Sequence, residues 1–163
     1  MQDKRNESIE KLKELTEDID FCMFTTLDGG YMRSRPMSTQ EMDANGDLWF
    51  FTSDDTHKVA EVGRDNRVNI AYSKPDDNKY VSVSGRADIV RDKAKIEELW
   101  NPIHKAWFPE GLDDPHLCLL KVTVEQAEYW DAPSSKIIQV LGFVKALATG
   151  QEADYGENEK LTL

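Results

Sequence analysis

The chain has 163 residues, 39% of them hydrophobic and 31% charged, which is enough apolar material for one compact core and too much for a disordered segment. A formal charge of −11 excludes a general affinity for nucleic acid or anionic membrane, since both need a positive footprint. Local positive pockets stay open, because Arg33, Arg35, Lys58 and Arg64 fall close together in sequence.

The N-terminal stretch MQDKRNESIEKL carries no apolar signal segment, and no run approaches the ~20 apolar residues of a membrane span, so a soluble, cytoplasmic protein is expected. Ile9, Leu12, Leu15 and Ile19 recur at helical spacing and predict a surface helix over residues 1–19. FCMFTTL follows as a strand, the DGG after it as a hairpin turn, and YMRSRPMSTQEMD as renewed extended chain. ANGD turns again into LWFFT, so these three strands are expected to form an antiparallel meander. A short helix is expected from Lys58 to Arg64, then the strands RVNIAYS and KYVSVSGRADIV, with Gly85 marking a bulge. DKAKIEELWNPIHKAWF reads as helix interrupted at Pro102, and LCLLKVTVEQAEYWDAP as the sixth and longest strand. Ile137, Val140, Leu141, Val144 and Leu147 give a last helix, followed by a polar tail. The expected fold is a single α+β, mainly β domain: a six-stranded antiparallel split β-barrel with peripheral helices. Its parts are an N-terminal helix (1–19), the barrel (20–132) and a C-terminal helix and tail (133–163).

Cys22 and Cys118 lie far apart among apolar residues without a CxxC spacing, and read as buried free thiols. His57, His104 and His116 fit no common metal spacing. No nucleophile elbow, phosphate-binding glycine loop or dinucleotide fingerprint is present. In an extended RSR, Arg33 and Arg35 point to one face, where two like charges repel unless an anion lies between them. A guanidinium pair suits a phosphate, yet an edge strand with ordinary surface arginines, as Pro36 favours, reads equally from these residues. In FFTSDDTHKVAEV, Thr52, Ser53 and Thr56 offer hydroxyls, and Lys58 opens a helix whose free amides attract an anion. Asp54, Asp55 or Thr56 could instead simply cap that helix. The polar face of YVSVS, opposite Val81 and Val83, suggests a wet pocket or a partner subunit.

Taken in order, RSRPMS, LWFFTSDDTHKVAEVGRDNRVNIAY, YVSVSGRADIV and YWDAP resemble the FMN-binding split-barrel family that includes pyridoxamine 5′-phosphate oxidase, and within it the general stress protein 26 branch. The resemblance implies an FMN cofactor, with its phosphate held by Arg35 and by Lys58 at the end of a T-x-x-x-x-x-K stretch that starts at Thr52. Ser53 belongs to the same turn, and His57 stands where relatives often carry arginine. By the same resemblance the backbone of Pro36, Met37 and Ser38 would run along the isoalloxazine ring, and Phe51 and Thr52 would line the pocket. Tyr80 matches a glutamine at the start of a long strand, and Trp130 is a further candidate contact, from the partner chain or from beneath the ring. A homodimer with the flavin between subunits is implied, acting as a flavin-dependent oxidoreductase on an unknown small molecule, or as a non-catalytic flavin-binding stress protein. The chain departs from the oxidase itself at Gln40, where that enzyme has lysine, and in lacking its C-terminal arginine–histidine motif. Pyridoxamine phosphate oxidation is therefore not implied, and no catalytic or metal-binding residue is assigned.

Overall fold

A computed structural model describes residues 1–132, 136–152 and 156–163. Helix α1 (Gln2–Thr16) buries Ile9, Leu12 and Leu15. Ile19, the last residue of the apolar series, is also buried but lies beyond the helix end. Strands β1 (Cys22–Asp28) and β2 (Tyr31–Met37) form a hairpin. Its two-residue loop needs positive φ at both positions, and Gly29 and Gly30 supply it at 55° and 91°. After β3 (Thr39–Met42) and β4 (Leu48–Ser53) come α2 (His57–Arg64), β5 (Arg67–Lys74) and β6 (Lys79–Val90). Helix α3 (Lys93–Leu99), a 3-10 turn at Pro102–Ala106, β7 (Leu117–Asp131), α4 (Lys136–Thr149) and β8 (Glu157–Thr162) complete the chain. The start of the expected C-terminal helix near Pro133 lies outside the described residues.

The fold is a mainly antiparallel sheet whose strands run in the order β2-β1-β5-β6-β7-β4-β3, with β8 also paired to β7. The sheet's two ends, β2 and β3, are separated in the chain by Ser38 alone. The sheet must therefore curl until its ends meet, and since they do not pair, the barrel stays split. This corrects the expected three-strand meander: β4 lies beside β3 and β7, not beside β2. The reason is visible in the core. Met37 and Met42 are both buried, yet a straight strand would send residues five apart to opposite faces. The break at Ser38 and the register shift between Thr39 and Glu41 let both face inward.

Eight strands are present among the described residues where the sequence suggested six. One arises from the division of 31–43 at Ser38, the other from the polar tail. That tail becomes β8 because Leu161 is buried in the core while its neighbours face solvent. Long β7 carries β6 along one side and, in succession, β4 and β8 along the other. Gly85 sits at a bulge, and a Cβ there would stand 2.2 Å from the Thr123 carbonyl oxygen. The main core joins α1 to the inner faces of the strands. A second, smaller one packs Trp49 and Phe51 against Ile96, Leu117 and Leu119. Cys22 and Cys118 are free and buried, and burial raises both thiols to a pKa of about 11. Among the described residues no helix is long and apolar enough to cross a membrane.

Candidate functional site

Arg35 stands opposite Phe24 on β1, whose ring is fully buried, so Arg35 points to the inner side of the sheet at its open edge. Helix α2 lies against β1 and sends Glu61 up to it. The Glu61 carboxylate is 1% exposed; it accepts from Arg35 Nη2 at 2.7 Å, from Arg33 Nη1 at 3.1 Å, and from the Thr26 hydroxyl. Arg35 Nη1 donates to Thr26 Oγ1 at 2.6 Å. Burial pushes the Glu61 pKa up; the Thr26 and Arg35 hydrogen bonds and the two guanidinium charges outweigh it, leaving the pKa below the usual carboxylate value. The anion between the two arginines, argued from like-charge repulsion, is thus supplied by the protein. Arg33 also reaches Asp28 at 3.1 Å.

The same helix presents Lys58. Its Nζ donates to Thr52 Oγ1 at 3.0 Å and, more loosely, to Thr56 Oγ1 at 3.4 Å. Among the described residues no carboxylate lies within ion-pair distance of this half-buried ammonium. Burial, and then repulsion from Arg35, hold its pKa below the usual lysine value. Arg35 and Lys58 are therefore close enough to sense each other's charge. The N-terminus of α2 is left open as well: Thr56 makes no side-chain cap, and its hydroxyl donates to the Ser53 carbonyl at 2.9 Å. Neither acidic neighbour caps it. Asp54 is held by His116 at 2.8 Å and Arg91 at 3.2 Å, and Asp55 accepts from Ser53 Oγ at 2.6 Å. The bonds to His116 and Arg91 lower the Asp54 pKa, and the reciprocal bond raises that of His116.

The remaining candidates divide into three groups. Thr52 is buried beside Lys58, while Ser53 is engaged by Asp55, and exposed His57 makes no hydrogen bond among the described residues. Pro36 is exposed, Met37 is buried with its carbonyl facing Cys22 Sγ, and Ser38 is the residue at which the chain crosses from one sheet end to the other. Gln40 turns back to the Ser38 carbonyl at 3.0 Å. Phe51 points away from Thr52, as alternate strand residues must. Its ring packs on His104, Trp100 and Phe108 with centroids 4.8, 5.7 and 6.4 Å away, so the two side chains do not line one pocket. Tyr80 and Trp130 are direct cross-strand partners, 41% and 42% exposed, on the outer face of the sheet. Arg35 belongs to the inner face, so within one chain Tyr80 and Trp130 are not brought to Arg35 and Lys58.

Two of the surface cavities among the described residues lie elsewhere. One of about 420 Å³ is lined by residues such as Arg64, Asn66 and Ile89 at the end of α2. The other, of about 310 Å³, crosses the outer sheet face by Thr25, Asn69, Ser84 and Arg86. Neither is lined by Arg35 or Lys58. No cluster of metal-ligating side chains occurs among the described residues.

Residues 7–154 match the model of a family described as pyridoxamine 5′-phosphate oxidase like. Among curated proteins, Protein bli-3 of Neurospora crassa is 28% identical over 159 residues, covering 91% of this chain and 76% of that protein. A solved Jannaschia sp. CCS1 structure described as general stress protein 26 superposes with a TM-score of 0.74 at 27% identity, covering all of both chains. The general stress FMN/FAD binding protein of Xanthomonas citri is 32% identical over 80% of this chain and 90% of its own, with a TM-score of 0.63.

Proposed function

Because the chain belongs to the pyridoxamine 5′-phosphate oxidase-like family, we propose that it binds FMN, with the cofactor phosphate between Arg35 and Lys58, and serves as a flavin-dependent oxidoreductase for a small molecule. The observation that carries this reading is Lys58: a half-buried cation, its pKa depressed, with only hydroxyl partners among the described residues, beside a second cation and an uncapped helix start. A dianion at that point offsets both the burial of Lys58 and its repulsion from Arg35. It also takes the free amides of α2. FMN is preferred over FAD because the seat suits a terminal phosphate monoester.

When bound, the flavin supplies the redox chemistry, accepting and giving up electrons. The chain's own residues bind and orient. Arg35 is locked by Glu61 and Thr26 yet keeps further N–H donors for an anion. Thr52 holds the Lys58 ammonium in place. Each charge-assisted bond to the phosphate contributes roughly 1.5–3 kcal/mol. We assign no proton-transfer residue. Tyr80 and Trp130 reach the ring only if a second copy presents them, so the reading includes a homodimer with the flavin between subunits.

The test is a titration of ligand-free protein with FMN and with riboflavin, for the wild type and Lys58→Ala. Loss of about 2 kcal/mol on FMN, or about thirtyfold in Kd, with little change for riboflavin is expected. Equal losses for both ligands would remove the phosphate from this seat. With FMN loaded, steady oxidation of a reduced nicotinamide supports an enzyme, and its absence across acceptors leaves a flavin-holding protein.

A further inference from the structure

The stretch after α3 is pinned at its centre by one histidine. Asn101 opens the 3-10 turn at Pro102–Ala106 with a reciprocal cap. Its Oδ1 accepts from the Ile103 N–H at 3.1 Å, and its own N–H donates to Nδ1 of His104 at 3.0 Å. The His104 carbonyl accepts in turn from the N–H groups of Trp107 and Phe108, at 3.0 and 2.9 Å. Its ring lies against Phe51 and Trp100, with centroids 4.8 and 5.3 Å away. His104 therefore ties residues 100–108 to themselves and to β4, over the smaller core. Ile103 and Trp107 are 66% and 63% exposed and add no anchor, so the hold rests on His104, Trp100 and Phe108.

A capping box ordinarily has glutamate or glutamine where His104 stands, and both remain acceptors throughout the neutral range. Histidine fills that place only while neutral. Nδ1 accepts through its lone pair, which puts the ring proton on Nε2; an imidazolium carries N–H on both nitrogens and offers no acceptor in either ring orientation. We propose that His104 is an acid-operated latch, whose protonation releases residues 100–108 from Phe51 and opens the smaller core at that end. The rings that face it, Phe51 from β4 and Trp100 from the end of α3, carry no charge. Of the charged groups nearby in the chain, Lys105 is exposed, Asp114 accepts from the His116 N–H, and the His116 ring is paired with Asp54. Among the described residues no carboxylate forms an ion pair with His104 to compensate an added proton. Burial accordingly holds its pKa below the ordinary 6.5. The closed form is thus fully favoured above about pH 6.5 and gives way as pH falls through the lower folded value.

This inference is independent of the flavin reading, and its test needs no ligand. The imidazole and amide signals of the full chain are followed by NMR from about pH 8 down to about pH 5.5, above the sequence pI of 4.7. Hydrogen–deuterium exchange of residues 100–108 is measured at both ends of the series and corrected for intrinsic exchange. His104 is expected to titrate below 6.5, with the Asn101 amide shifting in the same transition. Exchange should open at least threefold further at about pH 5.5, with a ceiling of about tenfold for a ring that returns to its ordinary pKa when released. His104→Gln keeps an acceptor that does not titrate and should stay closed across the series. A His104 that titrates at or above 6.5, an Asn101 amide indifferent to that titration, or the same acid opening in His104→Gln each overturns the latch.

Discussion

Two guanidiniums on one strand face need an anion between them, and the one separating Arg33 from Arg35 is Glu61, twenty-six residues beyond Arg35. The sequence weighed a bound phosphate against ordinary surface arginines; a carboxylate of the chain itself was in neither alternative. A signal was present, for Glu61 falls with Val59 and Val62 on the buried side of α2, where a lone charge demands partners. Phosphate and carboxylate need not compete, since Glu61 takes one edge of Arg35 and fixes its direction. Replacing Glu61 by Gln leaves Arg35 facing a weaker acceptor and is expected to cost about 2 kcal/mol at neutral pH. The folded pKa of Glu61 lies below its ordinary 4.5. Its contribution is therefore full above about pH 4.5 and fades as pH falls through the folded value. Urea unfolding of wild type and Glu61→Gln at neutral pH and well below pH 4.5 should show the gap closing in acid. A gap of constant size would refute the ionic role.

Hairpins and helices were largely readable, because their signals are local. Gly29–Gly30 announced the first turn, Gly85 the bulge, and Pro102 the break after α3. Crossing at Ser38 was not, since it depends on how far the sheet curls, and β8 was hidden because only Leu161 in a polar strand reaches the core. The start of α2 shows the same limit. Three good capping residues precede it, and only the fold reveals that each bonds elsewhere. An open helix start is a weakness of the ligand-free protein that a bound anion would repair. Thr56→Asp, which places a carboxylate at the N-cap, should stabilise ligand-free protein by about 0.5–1 kcal/mol and weaken FMN at least tenfold. Thermal melts and a flavin titration read the two effects, and FMN binding as tight as in the wild type would mean that the helix start is not the seat.

At the scale of the molecule, the curled sheet sends the two halves of the expected site to opposite faces: Arg35 and Lys58 to the inner, open edge, Tyr80 and Trp130 to the outer face. Every one of these residues was named from the sequence, but their separation within a chain follows from strand order and face, which emerge only once the sheet is assembled. In the proposed homodimer a second copy would close that separation, at an electrostatic cost. Two chains of −11 repel. Apolar contacts across such an interface would be insensitive to moderate salt, whereas repulsion between distant surface charges is screened within about 10 Å at roughly 0.1 M ionic strength. Self-association should therefore tighten severalfold as sodium chloride rises from about 0.02 to 0.3 M. FMN held by Arg35 and Lys58 should respond in the opposite sense, because screening weakens attraction between its phosphate and the two cations. Sedimentation of the ligand-free protein across one salt series reads the first effect alone, before FMN is added; a ligand-free dimer that loosens with salt would place charged pairs, not apolar contacts, at the centre of the interface.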